Sequence, residues 1–152
     1  VDGKEYHGIM YGALDDDGQQ AGTPFKSCKF GKVFGYEALQ KKFAATAEKV
    51  AALAPHCVKI HLLHILKGTP MAEEFAACPG DFAMMDRASY IRTTCDQLER
   101  LPPETVIQRL TGDGLKDELI APLWSLKKLT VLNDIDKELV RRNSWQGKLF
   151  TP

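Results

Sequence analysis

The sequence lacks an excess of charge of either sign and any long hydrophobic run. Its 152 residues carry 20 basic and 20 acidic side chains, which cancel at pH 7. A chain without net charge creates no global field that would favour nucleic acid or an anionic membrane. Its apolar runs fall well short of the ~20 residues of a membrane-spanning helix, so we expect no membrane segment. The length fits one domain with a moderate core.

Closely spaced cysteines are also missing. The four cysteines are Cys28, Cys57, Cys78 and Cys95. No two have the separation of a zinc knuckle, and no tight trio suits an iron–sulfur cluster, so we expect no metal ligands. Cys57 begins an apolar run and Cys95 lies on the apolar face of a helical segment, so both are predicted to be buried thiols. Nothing indicates an oxidising compartment, and we expect a cytoplasmic setting.

The chain changes character near residue 36. The glycine-rich residues before it predict loops or short strands, with a hairpin of Gly8–Leu14 against Phe25–Phe34. From Tyr36 to Leu53 the apolar residues recur at three- and four-residue spacing, which predicts a helix that Pro55 ends.

Three further helices with identifiable starts are predicted along the chain, followed by an ordered tail. A helical segment is also predicted from the turn at Gly114 to Leu119 or Ala121. The first begins at Thr69-Pro70 and runs through Ala76. Asp86 is expected to cap the second, whose inner face comprises Tyr90, Ile91, Thr94, Cys95 and Leu98. Ser125 is expected to cap the third, whose apolar stripe comprises Leu126, Leu129, Leu132, Ile135 and Leu139.

Two apolar segments predict buried strands that end in glycine-bearing turns. Cys57–Leu66 leads into Lys67-Gly68-Thr69, and Thr105–Thr111 leads into Gly112-Asp113-Gly114. A helix between two such strands is typical of parallel βα units. The predicted fold class is therefore α/β, with a ligand site at the carboxyl edge of a parallel sheet. Two strands cannot close a barrel, so their neighbours must come from residues 1–35 or from outside this chain.

Alternation along each strand assigns its residues to two faces. The apolar face of the first strand, which suits covering helices, comprises Val58, Ile60, Leu62, His64 and Leu66. The opposite face, which would line a barrel interior, comprises Lys59, His61, Leu63 and Ile65. On the second strand the face expected to point inward comprises Thr105, Ile107, Arg109 and Thr111, because Arg109 under a helix layer would need a partner.

Each polar group at the strand ends fits both a structural role and a role in binding. His61 suits a hydrogen-bonded core histidine or a ligand contact, and it diverges from His64 on a strand, which argues against a shared metal. The Lys67-Gly68-Thr69 segment suits a turn and helix start or an anion site. Asp113 suits a tight turn or a ligand contact, and Arg109 suits a salt bridge or a substrate clamp. No nucleophile elbow is present, which disfavours hydrolytic chemistry.

Five segments carry longer motifs that occur together and in this order in one known family. They are Val58–Thr69, Leu101–Asp113, Leu119–Ser125, Lys128–Ile135 and Trp145–Gly147. They resemble the carboxyl-terminal part of radical S-adenosylmethionine proteins, in a bacterial subfamily related to the Elongator catalytic subunit. The resemblance covers about residues 43–150. It implies that the two strands are late strands of a partial (β/α) barrel.

The resemblance also implies a division of the chain and a set of binding residues. Residues 1–42 would be an unmatched segment of loops or short strands, 43–114 late barrel units, and 115–152 a carboxyl-terminal helical extension. The residues bordering the adenosylmethionine or substrate cavity would be His61, His64, Lys67, Arg109, Thr111 and Asp113. The parent protein would hold S-adenosylmethionine and a 4Fe–4S cluster, but the three-cysteine cluster motif is absent here. We therefore expect a fragment, or a truncated relative with a foreign amino-terminal segment, that is inactive alone.

Two functions are compatible with these features, with a weaker third. The chain is either the rear portion of a radical S-adenosylmethionine enzyme or a non-catalytic interaction module derived from a barrel half. By analogy with Elongator, the enzyme's substrate would be RNA. The expected partner is the missing barrel half or a second copy of the chain. A small metal-binding α/β protein is the third possibility.

Overall fold

The structure, a computed structural model, describes residues 30–152 except Ala83 and Asp113. The helices are α1 (Phe30–Ala51), α2 (Pro70–Ala77), α3 (Arg87–Leu98) and α4 (Lys128–Arg141). The strands are β1 (Cys57–Lys59), β2 (Ile65–Leu66), β3 (Val106–Arg109) and β4 (Leu119–Ala121). The predicted α/β class is confirmed. Among the described helices, none has the length and apolar content needed to cross a bilayer.

Strands β1 and β3 pair in parallel, as predicted. The register joins Cys57 to Val106, Val58 to Ile107 and, after an irregularity, Lys59 to Arg109. The amide of Ile60 extends the ladder by donating to the carbonyl of Arg109 at 2.8 Å. Because the strands run in the same direction, the segments that follow them leave the sheet at the same edge.

The prediction of one continuous strand from Cys57 to Leu66 is wrong. β1 ends at Lys59, and Ile65–Leu66 form β2, which pairs antiparallel with β4 in a separate two-stranded sheet. β3 itself ends at Arg109, so the residues after Ile60 have no continuing parallel ladder. Ile65 instead becomes fully buried where β2 meets β4. The apolar run is shared between two small sheets. The prediction that a helical segment reaches Leu119 or Ala121 is wrong, because Leu119–Ala121 form β4.

Helices α3 and α4 cover one face of the parallel pair. The core comprises Ile60, Tyr90, Ile91, Cys95, Leu98, Val131 and Ile135, and the strand residues packed against it include Val58, Leu62 and Ile107. The prediction that Val58, Ile60 and Leu62 face covering helices is therefore confirmed. The inward direction predicted for the face of Ile107 and Arg109 is wrong. Ile107 lies on the helix side with its register partner Val58, and the burial pattern of β3 gives Arg109 the same side.

The other face of the parallel pair is exposed. It presents Cys57, Lys59, Val106 and Gln108, which we call the open face. Val106 is 51% exposed although it is β-branched and lies within a strand. The prediction that Cys57 is buried is wrong, because it points to this face rather than to the helices. His61, just beyond β1, is also exposed.

Most of the predicted helical features of α2 and α3 are confirmed. Thr69 caps α2 by accepting a hydrogen bond from the amide of Ala72 at 3.2 Å. The carboxylate of Asp86 caps α3 by accepting from the amide of Ser89 at 2.8 Å. The five residues predicted for the inner face of α3 are all buried.

The predictions for α4 and α1 need correction. The hydroxyl of Ser125 is buried in the turn before α4 and donates to the carbonyl of Pro122 rather than capping the helix. The prediction that Leu129 lies in the apolar stripe is wrong, because it is 76% exposed. The α4 residues that face the core are Val131 and Ile135. Helix α1 begins at Phe30, so the strand predicted over Phe25–Phe34 is wrong from residue 30 onward. The rest of that hairpin lies outside the described residues.

The tail after α4 is ordered, as predicted, and packs on the connection between α3 and β3. The side-chain amide of Gln146 donates to the carbonyls of Pro102 at 2.8 Å and Thr105 at 2.7 Å. Gly147 has a positive φ of 83°, and a Cβ there would lie 2.8 Å from Cδ of Pro103. Only glycine fits both the backbone conformation and the space at this position.

Candidate functional site at the strand exits

The segments that leave β1 and β3 meet at the carboxyl edge of the parallel pair. The imidazole of His64 packs against the glycines that follow β3. A Cβ on Gly112 would lie 2.7 Å from Cε1 of His64, and one on Gly114 would lie 3.2 Å from Nδ1. The Nε2 atom of His64 is shielded from solvent. A side chain at position 112 would therefore force the ring out of its place.

Thr111 is a predicted site residue with a buried hydroxyl group. Its side chain is 0% exposed, and its hydroxyl has no hydrogen-bond partner among the described residues. A buried hydroxyl without a partner costs free energy, and such groups in folded proteins usually signal a bound molecule or an unseen contact. Thr111 precedes Gly112 in the sequence, at the start of the segment that packs on His64.

Tyr90 anchors the beginning of the segment that contains Thr111. Its hydroxyl donates to the carbonyl of Leu110 at 2.8 Å, and its ring lies 5.5 Å from that of Trp124. Burial raises the pKa of Tyr90 to about 12, so the phenol stays a neutral donor. From the sequence, Tyr90 is predicted only on the inner face of a helix. A buried tyrosine hydroxyl must find an acceptor, and that requirement was the signal for a second role.

Lys67 makes two hydrogen bonds to the backbone near the start of β4. Its ammonium donates to the carbonyl of Asp117 at 2.6 Å, and its amide donates to the carbonyl of Glu118 at 2.8 Å. Gly68 follows with a φ of 72°, and Thr69 then caps α2. The turn-and-helix-start interpretation of this segment fits these contacts.

The six predicted site residues are therefore placed differently. His64 and Thr111 lie at the junction, and Lys67 lies where β2 leads into α2. Arg109 is half-buried at the end of β3, whereas His61 is exposed. Asp113 lies outside the described residues.

The described cysteines do not fit an iron–sulfur cluster. Burial raises the pKa of Cys95 to about 12, so it stays a thiol in the core, and its Sγ donates to the carbonyl of Ile135 at 3.7 Å. Cys57 and Cys78 are exposed on separate elements. Among the side chains that the structure describes, no three His, Cys, Asp or Glu residues form a metal site. Cluster ligation needs thiolates held together.

Residues 55–141 match the Radical_SAM C-terminal domain, which is more than half of the chain. The chain belongs to this family. The match includes both strands of the parallel pair, the junction at their exits, and helices α2 to α4. It supports the coarse form of the predicted resemblance, a carboxyl-terminal region of radical S-adenosylmethionine type.

Three relatives give the size of the proteins to which the chain is similar. It is 47% identical over 105 residues to the uncharacterized protein YtqA of Bacillus subtilis, and 33% identical over 111 residues to an uncharacterized protein of Methanocaldococcus jannaschii. It is 29% identical over 100 residues to protein YhcC of Escherichia coli. These matches cover 69%, 72% and 66% of this chain but only 32%, 34% and 32% of the relatives. The chain thus spans about a third of their length. No solved structure matches it.

Proposed function

We propose that this chain is the carboxyl-terminal portion of a radical S-adenosylmethionine enzyme. In this proposal it supplies late βα units of a partial (β/α) barrel and part of the wall of the cofactor and substrate cavity. The cysteines that hold the 4Fe–4S cluster come from another part of the protein. Family membership supports the class of enzyme, and the share of each relative that the chain covers supports its being one portion of such a protein.

The open face is the single observation that carries this proposal. Parallel sheets are almost always covered on both faces. Here α3 and α4 cover one face, whereas Val106 on the other is 51% exposed. A face left bare in a parallel pair favours further protein on that side. In a partial barrel this face lines the interior, and the neighbouring strands pair at the outer edges of β1 and β3.

The junction at the strand exits supports the position of the cavity. Barrel enzymes bind their ligands across the carboxyl ends of the strands, where His64 and Thr111 lie. The Thr111 hydroxyl and the close backbone of Gly112 suit contacts to a polar ligand. Bound adenosylmethionine supplies the radical chemistry in this family, and the residues described here would contribute binding and shape. Of the remaining predicted residues, Arg109 is the one at the end of a strand.

RNA is the substrate class we propose for the complete protein. The resemblance of the sequence motifs to an Elongator-related subfamily suggests it by analogy. The chain itself has no net charge, so its own contribution to RNA binding would be local. Titration of the complete protein with RNA at several salt concentrations tests this part, because phosphate contacts predict affinity that falls steeply with salt. Affinity that does not change with salt would count against RNA.

Anaerobic iron–sulfur reconstitution tests the proposed function as a whole. We expect the complete protein to take up iron and sulfide and to bind S-adenosylmethionine, and the 152-residue chain to do neither. Ultraviolet–visible absorption and calorimetric titration measure the two properties. A complete protein that lacks the three-cysteine motif and binds no adenosylmethionine would contradict the enzyme assignment. Tight cofactor binding by the chain alone would contradict the proposal that the cluster and its cysteines belong to another part of the protein.

Exposed apolar side chains on α4 favour a second candidate, a non-catalytic interaction module. Leu129 is 76% exposed and Val140 is 78% exposed, at opposite ends of the same helix. In this alternative the open face and α4 contact a partner or a second copy of the chain. A stable complex or dimer in size-exclusion chromatography, together with failed reconstitution of the complete protein, would favour the module.

A further inference from the structure

We propose that Lys67 is a positioning residue that fixes the loop between β3 and β4 and does not itself bind the ligand. This exit loop, residues 110–118, begins beside Thr111 and contains the two glycines that contact His64. The functional meaning of its position depends on the proposed function, because the loop borders the proposed cavity. The geometry of the anchors themselves does not depend on it.

The far end of the exit loop is held by Lys67. Its ammonium lies 2.6 Å from the carbonyl oxygen of Asp117, and its amide lies 2.8 Å from that of Glu118. Leu66, the preceding residue, pairs with Leu119 in the antiparallel ladder. The side chain of Lys67 thus extends the β2–β4 ladder by one more contact toward the loop. The ammonium is exposed to solvent, so this bond contributes modestly to stability, and its effect is on the position of the loop end.

The near end of the exit loop is held by Tyr90. Its hydroxyl lies 2.8 Å from the carbonyl oxygen of Leu110, and the two residues are 20 positions apart. The ring is nearly buried in the core of α3 and α4, with 5% exposure. This anchor therefore ties the loop to the rigid helical side of the molecule.

The middle of the exit loop rests on His64. The ring lies so close to Gly112 and Gly114 that a Cβ at either position would approach it within 2.7 or 3.2 Å. Glycines are the most mobile residues in a chain, so a loop with two of them needs such contacts to hold one conformation. Three anchors thus hold the loop in place. They come from the residue after β2, from α3 and from the segment after β1.

This arrangement gives Lys67 a role that the sequence did not predict. The ammonium is bound to the carbonyl of Asp117, so Lys67 acts on the junction through the exit loop. Substitution of Lys67 is expected to loosen residues 110–118 and to weaken ligand binding only as a consequence. A direct ligand contact would give the reverse pattern, with lost binding and an unchanged loop.

Hydrogen exchange in the complete protein, measured by mass spectrometry, tests this role. Lys67→Met keeps most of the side-chain stem and removes the donor, so we expect exchange in residues 112–118 to become about fivefold faster. Lys67→Arg keeps a donor and should restore most of the protection. Lys116→Met, an exposed position in the same loop, is the matched control and should leave exchange unchanged. Tyr90→Phe should speed exchange at the near end instead.

Affinity for S-adenosylmethionine is measured on the same reconstituted variants. Faster loop exchange in Lys67→Met, with rescue by arginine, supports the positioning role whatever happens to affinity. If affinity also falls, the loop borders the cofactor; if it does not, the positioning role stands and the proposed cavity position fails. Unchanged exchange in Lys67→Met overturns the positioning role. A loss of affinity with unchanged exchange would instead assign Lys67 to the ligand.

Discussion

The two faces of the parallel pair differ in how completely other residues cover them. On the helix side, α3 and α4 bury Val131, Cys95 and Ile135 at 0% exposure. On the open face, Val106 is 51% exposed and Cys57 is an exposed thiol. Among the described residues, helices thus cover one face of the parallel pair and leave the other face open.

Ion pairs also hold the two helices of the helix side together. The guanidinium of Arg142, which is 18% exposed, lies 2.6 Å from Asp96 and 3.3 Å from Glu99, both on or next to α3. It also bonds Glu138 of α4 at 2.8 Å. Such a partly buried network costs desolvation, but it leaves no charge without a partner once all its members are present. It fixes the relative position of the two helices, and no comparable network is described on the open face.

Truncation of the core should have the largest effect on stability. We expect Ile135→Ala to lower the free energy of unfolding by roughly 3 kcal/mol, because Ile135 is fully buried between α3 and α4. Leu129→Ala on the same helix is the matched control and should change it by less than about 0.5 kcal/mol. Urea unfolding measures both. Equal losses would show that the helix side has no better packing than the exposed surface of α4.

The Glu138 network predicts a loss of stability in acid. Hydrogen bonds from Arg141 and Arg142 lower the pKa of Glu138 from its ordinary 4.5 to about 2. The stabilisation, about 1 to 2 kcal/mol after allowance for solvent screening, is fully present above pH 4.5 and is lost as the pH falls through about 2.

The measurement is urea unfolding of the wild type and Glu138→Gln between pH 7 and pH 2. The difference in unfolding free energy between them should be constant near neutrality and shrink below pH 4.5. A difference independent of pH would mean that the folded protein does not lower the pKa of Glu138.

Thr111→Val should have a smaller and opposite effect on stability. It replaces a buried hydroxyl that has no partner among the described residues with a methyl group, so we expect a gain of about 1 kcal/mol. Affinity of the reconstituted complete protein for S-adenosylmethionine should fall about tenfold if the hydroxyl contacts the ligand.

Thr93→Val is the matched control for this change. Thr93 is 4% exposed on α3, and its hydroxyl also has no partner among the described residues. It should give a similar gain in stability with no change in affinity. Equal effects of the two variants on affinity would remove Thr111 from the proposed cavity.

The helices were predictable because their signals are local. The Asp86 cap, the proline at position 70 and the inner face of α3 all depend on residues within a few positions of one another. The parallel pairing of the strands was also predictable, because it follows from their order with a helix between them. It did not predict the contact of His64 with the glycines after β3, because a continuous strand places His64 on the face against the helices.

The remaining features depend on residues distant in the sequence. The run from Cys57 to Leu66 divides because β3 is short and β4, more than 50 residues away, offers another partner. The exposure of Cys57 depends on what covers the second face of the sheet. The bond from Lys67 to Asp117 spans 50 positions, and that from Tyr90 to Leu110 spans 20. Periodicity and caps carry no information about such pairs.

Alkylation of Cys57 tests the central claim most directly. Cys57 begins β1 on the open face, at the amino-terminal end that is closed by packing in barrel proteins. In the 152-residue chain it should react with iodoacetamide at a rate near that of exposed Cys78. In the complete protein we expect it to react at least about tenfold more slowly than Cys78, because in the proposed partial barrel strands from the rest of the protein cover the open face. Equal rates for the two thiols in the complete protein would contradict the account.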